Sequence, residues 1–294
     1  MMKLKQFLRN SVKPGLLKIC LALTLICGCT SSTVPTYSKE KIESIIQELC
    51  KTEYNLDVKA KLIDDTLWVY LPVEDIFKQS EKPDITTEIF KIEEMKNEFK
   101  EDTFRLEYKI QNIPPAEQKN YYQINKDVSE DMGSVWRIIR RVTFSMEHSK
   151  NGEPKFYAVV TADIKNAFEI ITLVYYLDLK KISYGLISYD EYYHRTIQNT
   201  NITPEISGDK DGLHFQYKNI SMRDFVLEQI TQRIKLKFQK PELDKNADVD
   251  KEILKIVANT VKTYDFKDFN TLELNNLFTN NRIILNKTAV LASD

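Results

Sequence analysis

Phe168-Glu169-Ile170-Ile171-Thr172-Leu173-Val174-Tyr175-Tyr176-Leu177 is apolar on both faces at nearly every position. A strand with one wet face alternates apolar and polar residues; one without that alternation lies inside a sheet, with layers covering both sides. Just upstream, Phe156 to Ile164 reads as a second strand, joined to the first across Lys165-Asn166-Ala167, and Val142 to Glu147 as a third. A helix is expected from Val128 to Ile139, so strands and helices intermix.

Working outward to the N-terminal side, Ser38 is placed to cap a helix in which Ile42, Ile45, Ile46 and Leu49 recur at helical spacing. Val58, Ala60 and Leu62 then alternate with Asp57, Lys59 and Lys61, and a tight turn at Asp64-Asp65 leads into Thr66 to Leu71, a hairpin. Residues 86–100 read as a charged helix, and 102–112 as a half-buried strand through Phe104, Leu106, Tyr108 and Ile110. Pro114-Pro115 and the polar stretch to Asn125 read as a linker, since paired prolines continue neither helix nor sheet.

On the C-terminal side, Ser188 and Glu191 have capping-box spacing for a helix through Tyr192 and His194 to about Gln198. A turn at 208–212 precedes a short strand from Leu213 to Tyr217. Ser221 and Asp224 cap an amphipathic helix carrying Phe225, Val226, Ile230, Ile234 and Phe238, closed by Pro241. A further helix through Ile253, Ile256, Val257 and Val261 precedes strands at Thr271 to Leu274 and Arg282 to Leu285, which echoes the helix-then-two-strands order of 39–71. The expected class is α+β: helices packed on short, mostly antiparallel sheets in two sub-domains. These are an N-terminal domain over 38–112 and a C-terminal domain over 127–294, divided by a linker at 113–126.

The first residues carry an address. Lys3, Lys5, Arg9, Lys13 and Lys18 come without any acidic residue, and the apolar run Ile19 to Ile26 follows, the order of a secretory signal. Ile26-Cys27-Gly28-Cys29 resembles the lipobox of bacterial lipoproteins, with an aliphatic residue three before the cysteine and a small one directly before it. Cys27 fits that pattern poorly, because bulky Ile26 precedes it. The competing reading, an uncleaved membrane helix over residues 14–29, falls short of the roughly 20 apolar residues that span a bilayer. The resemblance implies a signal peptide over 1–28 and a mature protein that starts at Cys29, bears diacylglycerol and an N-acyl chain such as palmitate, and is tethered to a membrane through 29–37. Thr30 is not Asp, so the resemblance implies the outer membrane, facing the periplasm, over the inner.

Residues 1–28 hold five of the 42 basic residues and none of the 43 acidic ones, leaving the mature chain at −6. That balance, with no basic run, argues against nucleic acid as a partner. Cys20 and Cys27 leave with the signal, Cys29 is spent on lipid, and Cys50 remains as a small apolar residue on a helix.

Catalytic signatures are absent. Five glycines in the mature chain (Gly133, Gly152, Gly185, Gly208 and Gly212) supply neither a phosphate-cradling loop nor a dinucleotide fingerprint. No HExxH, GxSxG or penicillin-binding SxxK set occurs. Of the three histidines, His148 suggests nothing beyond a turn. His194 shares a helical face with Glu191, a pair that is ordinarily a surface contact and is too small by itself for a metal site. His214 follows Asp209-Lys210-Asp211-Gly212, the middle of a calcium-type loop whose ends fail at Ser207 and Lys218; the run Asp244, Asn246, Asp248 fails at Val249 and Lys255. No catalytic residue, metal ligand or cofactor is therefore assigned.

What remains is aromatic. Tyr175, Tyr176, Tyr184, Tyr189, Tyr192 and Tyr193 fall within twenty residues and Arg195 follows. Tyrosine and arginine anchor protein interfaces, and tyrosine faces stack on sugars; the same rings can equally cover a sheet within the core. Tyr189, Tyr192, Tyr193, His194 and Arg195 are the candidate partner or ligand surface. The expected function is a lipid-anchored, non-catalytic envelope protein, an assembly, scaffolding or accessory subunit that presents an α+β body to an envelope protein partner. The alternatives are a small-ligand or glycan-binding lipoprotein, or a hydrolase in which His194 or His214 meets carboxylates in a cleft.

Overall fold

A computed structural model describes residues 37–146, 153–239 and 243–293. Among them are seven α-helices and nine strands in two mixed sheets, an α+β architecture with two sub-domains. Helix α1 (Ile42–Tyr54) is followed by β1 (Lys59–Ile63), β2 (Thr66–Val73), β3 (Phe77–Lys100) and β4 (Thr103–Ile124). Next come α2 (Lys126–Phe144), β5 (Phe156–Asp163), β6 (Phe168–Tyr175), α3 (Tyr176–Ser183), α4 (Tyr189–Arg195) and β7 (Ile197–Ile202). The chain ends with α5 (Met222–Gln239), α6 (Val249–Thr263), β8 (Thr271–Asn276), β9 (Asn281–Asn286) and α7 (Lys287–Ala292).

The first sheet has the order β1-β2-β5-β6-β7. β6 is an inner strand, as its composition demands, but the centre belongs to β5, all eight of whose residues are buried. One face, with Leu67, Val69, Tyr157, Val159 and Val174, packs on Ile42, Ile46 and Cys50 of α1 and on Val135, Ile138 and Val142 of α2. Burial pushes the Cys50 thiol up to about 11, with the Glu53 carboxylate adding to the shift, so it is an inert core residue. The opposite face, with Trp68, Tyr70, Phe156, Val160 and Leu173, is covered by Ile206, Ile220 and Phe225.

The covering segment, 203–221, has only one short 3-10 turn, and it is tied down by alternate residues of β2. Thr66 Oγ1 accepts from the Ile220 N–H at 2.8 Å, Trp68 Nε1 donates to Lys218 O at 2.7 Å, and Tyr70 Oη donates to Asp209 O at 2.8 Å. The strand expected at Leu213 to Tyr217 is not formed, because this segment lies over the sheet face and bonds to side chains instead of a strand edge.

The second sheet has the order β3-β4-β8-β9, with α5, α6 and α7 over one face through Val226, Ile230, Phe238, Val257 and Val290 against Phe104, Leu106, Tyr108 and Leu272. Each sheet is built of hairpins joined by one parallel pairing, β2 with β5 and β4 with β8; the other five pairings are antiparallel. The helix-then-hairpin order noted at the two ends of the chain occurs three times, as α1-β1-β2, α2-β5-β6 and α6-β8-β9.

Two expectations are corrected by the long β3-β4 hairpin. Residues 86–100 form strand, not helix. The pairing register slips between Glu88 and Phe90 and again between Ile92 and Glu94. At the second slip β3 has one extra residue, Glu93, which shifts the phase of its alternation, so Ile92, Met95 and Phe99 acquire helical spacing while facing one core. Polar Asn97 also points inward, donating to Leu227 O at 3.1 Å and to Thr231 Oγ1 on α5.

Residues 113–124 are likewise not a linker but the outer half of β4. Ile113, Pro114 and Pro115 bulge opposite Ile89, on a stretch where no described strand other than β3 pairs with β4, so prolines lacking N–H groups are accommodated. Asn125 caps α2 through its side chain. The sub-domains consequently do not divide as 38–112 and 127–294. The first sheet draws on 37–76 and 125–221, the second on 77–124 and 222–293, and the chain crosses between them more than once. The strand expected from Val142 to Glu147 is the last turn of α2 as far as Phe144; Met146 makes a single bridge to Tyr37, and Glu147 lies outside the described residues. Ser38 makes no side-chain cap; a 3-10 turn at Lys39–Lys41 leads into α1.

Buried carboxylates give the fold an acid limit. Asp163 accepts N–H donors from Ile76, Lys165 and Asn166, and Glu273 accepts from Arg105 and Arg282. Burial alone would raise both acids, but these donors outweigh it and both lie below the ordinary carboxylate value. A depressed folded-state value stabilises above the unfolded value of about 4 and is lost as pH falls through the folded value. The urea midpoint is therefore expected to hold from pH 7 to 5 and drop steeply below about pH 4; a midpoint at pH 3 equal to that at pH 6 would contradict this. Among the described residues, no helix is long and apolar enough to cross a membrane.

Candidate functional site

On α2, Met132, Trp136 and Arg140 stand four residues apart and so share one face. On α4, Tyr189, Tyr192 and Tyr193 stand at i, i+3 and i+4 and do the same. The Ser188 side chain starts α4 by accepting the Glu191 N–H at 3.0 Å. The two faces meet over Thr172 and Val174 of β6 to form a groove of about 480 Å³. Its floor holds the Thr172 hydroxyl, buried and without a hydrogen-bond partner in the described residues.

The three tyrosines differ in environment. Tyr192 packs against the α1/α2 core, and burial pushes its hydroxyl up to about 12. Tyr189 is 81% exposed and Tyr193 53%, with Tyr184 and Leu186 also open to solvent nearby along the chain. Tyr175 belongs to the core, against Phe156, Phe225 and Tyr264.

Arginine supplies the charge. Arg141 is held by Glu53 through two hydrogen bonds of 2.6 and 2.9 Å, and Arg137 lies 5.2 Å from the Tyr54 ring centre while donating to Ser134. Arg140 is exposed and makes no hydrogen bond or ion pair with the described residues. Arg137 and Arg140 also line a second hollow, of about 590 Å³, with Tyr54, Phe144 and Tyr184. They form a ridge between two aromatic depressions. The groove is lined by the aromatic faces of Trp136, Tyr189, Tyr192 and Tyr193, the guanidinium groups of Arg137 and Arg140, and the hydroxyl-bearing Thr172 and Thr196.

The remaining two residues of the sequence-derived surface turn the other way. Arg195 has a side chain only 12% exposed, donating to buried Asp178 at 2.8 Å and to Glu191 at 2.6 Å. His194 faces a smaller hollow with Glu191, Arg233 and Leu236, its Nδ1 3.6 Å from Asp190. Glu191 is held by Arg195 and lies 3.7 Å from Arg233, so it does not join His194 as a metal pair.

Both calcium-like runs serve the backbone. The Asp209 carboxylate accepts from the N–H groups of Asp211, Leu213 and His214; Asp244 accepts from Asn246 N, and Asp248 caps α6. Among the described residues, no group of three or more His, Cys, Asp or Glu side chains is placed to hold a metal ion. His148 and Cys29 lie outside the described residues.

Trp136, Arg137 and Arg140 were not singled out by sequence reading. Their one signal was a large aromatic residue and two cationic ones, Trp136 and Arg137 within the helix predicted over 128–139 and Arg140 directly after it. Comparison with known proteins gives no match to a family model, a curated protein or a solved structure.

Proposed function

We propose that the protein is a lipid-anchored cell-envelope protein, held on the periplasmic face of the outer membrane through Cys29, and that it works as a non-catalytic accessory subunit. Its partner is an envelope protein that docks on the tyrosine-arginine groove between α2 and α4. The observation that carries the reading is the placement of exposed Tyr189 and Tyr193 beside Arg140, which has no charge partner among the described residues. Exposed aromatics around a groove, with an arginine able to pair across an interface, are the composition of interface anchors. The lipobox resemblance at Ile26 to Cys29 supports the anchor. Each buried methylene contributes roughly 0.8 kcal/mol, so several acyl chains on one residue hold a protein to a bilayer durably.

Two experiments test the halves separately. Cys29→Ser is expected to move the tagged protein from the membrane to the soluble fraction and to remove metabolic labelling by a clickable palmitate analogue; continued labelling with membrane retention would end the anchor reading. Crosslinking in intact cells followed by purification and mass spectrometry is expected to yield one stoichiometric partner. Its recovery should fall at least tenfold in Arg140→Glu/Tyr193→Ala with unchanged thermal melting. Equal recovery from that variant would end the groove reading.

A further inference from the structure

The opposite face of the first sheet carries a second cavity, of about 630 Å³, between β2, β6, the turn after β7 and residues 214–218. Three rings group at this site. Trp68 and Phe215 have centroids 5.1 Å apart, Phe215 and Tyr217 4.9 Å, and Trp68 and Tyr217 6.3 Å. Glu169 stands in the same wall, 5% exposed, on the face of β6 that also carries Ile171. Its Oε1 accepts from Asn201 Nδ2 at 2.9 Å, whereas its Oε2 is buried without a hydrogen-bond partner in the described residues. A carboxylate oxygen withdrawn from water and left unpaired is costly, and such groups are rare enough in native proteins to require a reason.

From this arrangement we infer that the cavity binds a small organic cation, a protonated amine on an apolar body. The ammonium pairs with Glu169, whose buried Oε2 turns toward the cavity to meet it, and the body lies against Trp68, Phe215 and Tyr217. The charges in the wall favour that sign: Glu169 and Glu205 stand against Lys218, with His214 at the rim. The rings attract cations through their faces, and one face in the cluster already does so, since the Lys61 ammonium lies 5.0 Å from the Tyr217 ring centre. A neutral analogue gains the aromatic contact and forgoes the charge-assisted hydrogen bond; an anion meets two carboxylates.

Trp68 reports the event directly. The chain has two tryptophans, Trp68 and Trp136. In the Trp136→Phe protein, fluorescence follows the cavity alone. Titration with benzylammonium is expected to saturate, with benzyl alcohol and benzoate at least tenfold weaker. Glu169→Gln, nearly the same shape and still able to accept from Asn201, is expected to weaken benzylammonium at least tenfold and leave benzyl alcohol unchanged. Should that variant melt early, Glu205→Gln on the exposed rim takes its place, with an expected weakening of about two- to fivefold. Equal binding of amine and alcohol, indifference to both substitutions, or no saturation by 20 mM benzylammonium would each overturn the proposal.

Discussion

Replacing Arg195 by methionine is expected to destabilise the protein by about 3–5 kcal/mol, the cost of leaving a buried charge without its partner. Asp178 is wholly buried; its Oδ1 accepts from Arg195 Nη1 at 2.8 Å, and its Oδ2 has no hydrogen bond in the described residues. With Arg195 gone, the nearest described cation is Lys181, 3.9 Å away and more than a third exposed. The loss spreads, because the Arg195 backbone carbonyl accepts from Gln229 Nε2 at 2.6 Å, and Gln229 Oε1 in turn accepts from Arg233. These bonds join α3 and α4, which belong with the first sheet, to α5, which covers the second. Tyr264 adds to the same seam: burial, with the nearby Asp178 charge, holds its hydroxyl far above the ordinary tyrosine value. Urea denaturation followed by circular dichroism measures the effect. The double variant Arg195→Met/Asp178→Leu, which removes the orphaned charge as well, is expected to regain most of the loss. A single-variant loss below 1 kcal/mol would mean that Asp178 finds another partner or water.

That network explains why Arg195 was read as surface. An arginine after a run of tyrosines has the composition of an interface anchor, and its partner Asp178 lies seventeen residues away on another helix, a pairing that no local pattern reveals. The groove was half legible for a related reason. Tyr189 and Tyr193 announce themselves as large apolar residues on a short charged helix, but Trp136 and Arg140 matter only because β6 brings α2 and α4 together. Local chemistry was read correctly where it is self-contained: the hairpin at Asp64-Asp65, the turn at Lys165-Asn166-Ala167, the Ser188 cap, and the Ser221 and Asp224 side chains that bond each other at 2.7 Å ahead of α5. It failed where a strand is irregular. In β3 the extra residue Glu93 makes Ile92, Met95 and Phe99 imitate helical spacing, and in β4 the paired prolines sit in a bulge on a stretch that no described strand other than β3 borders.

The loop over the first sheet makes the second large prediction, through Gly212. Its φ of +66° lies in the left-handed region, which costs an L-residue roughly 1–2 kcal/mol. A Cβ added there would also strike the Tyr217 hydroxyl and come within 2.9 Å of Tyr70 Cγ. Neither ring can yield easily. Tyr70 is fully buried and bonded to Asp209 O, and Tyr217 packs against Trp68 and Phe215. Overpacking of this kind adds about 1–3 kcal/mol, so Gly212→Ala should destabilise by about 2–5 kcal/mol in total. Gly208 provides the control. Its φ of +77° is as unfavourable for alanine, yet a Cβ there meets nothing within 4 Å, so Gly208→Ala should lose only the backbone part, about 1–2 kcal/mol. Because Phe215 and Tyr217 follow closely on Gly212, the alanine variant should also weaken benzylammonium binding and shift Trp68 emission, whereas Gly208→Ala should do neither. Equal losses in the two variants would show that backbone conformation alone matters and that the loop yields without disturbing the rings. A larger loss at Gly212 accompanied by altered Trp68 emission would tie the stability of the loop to the shape of the aromatic cavity beneath it.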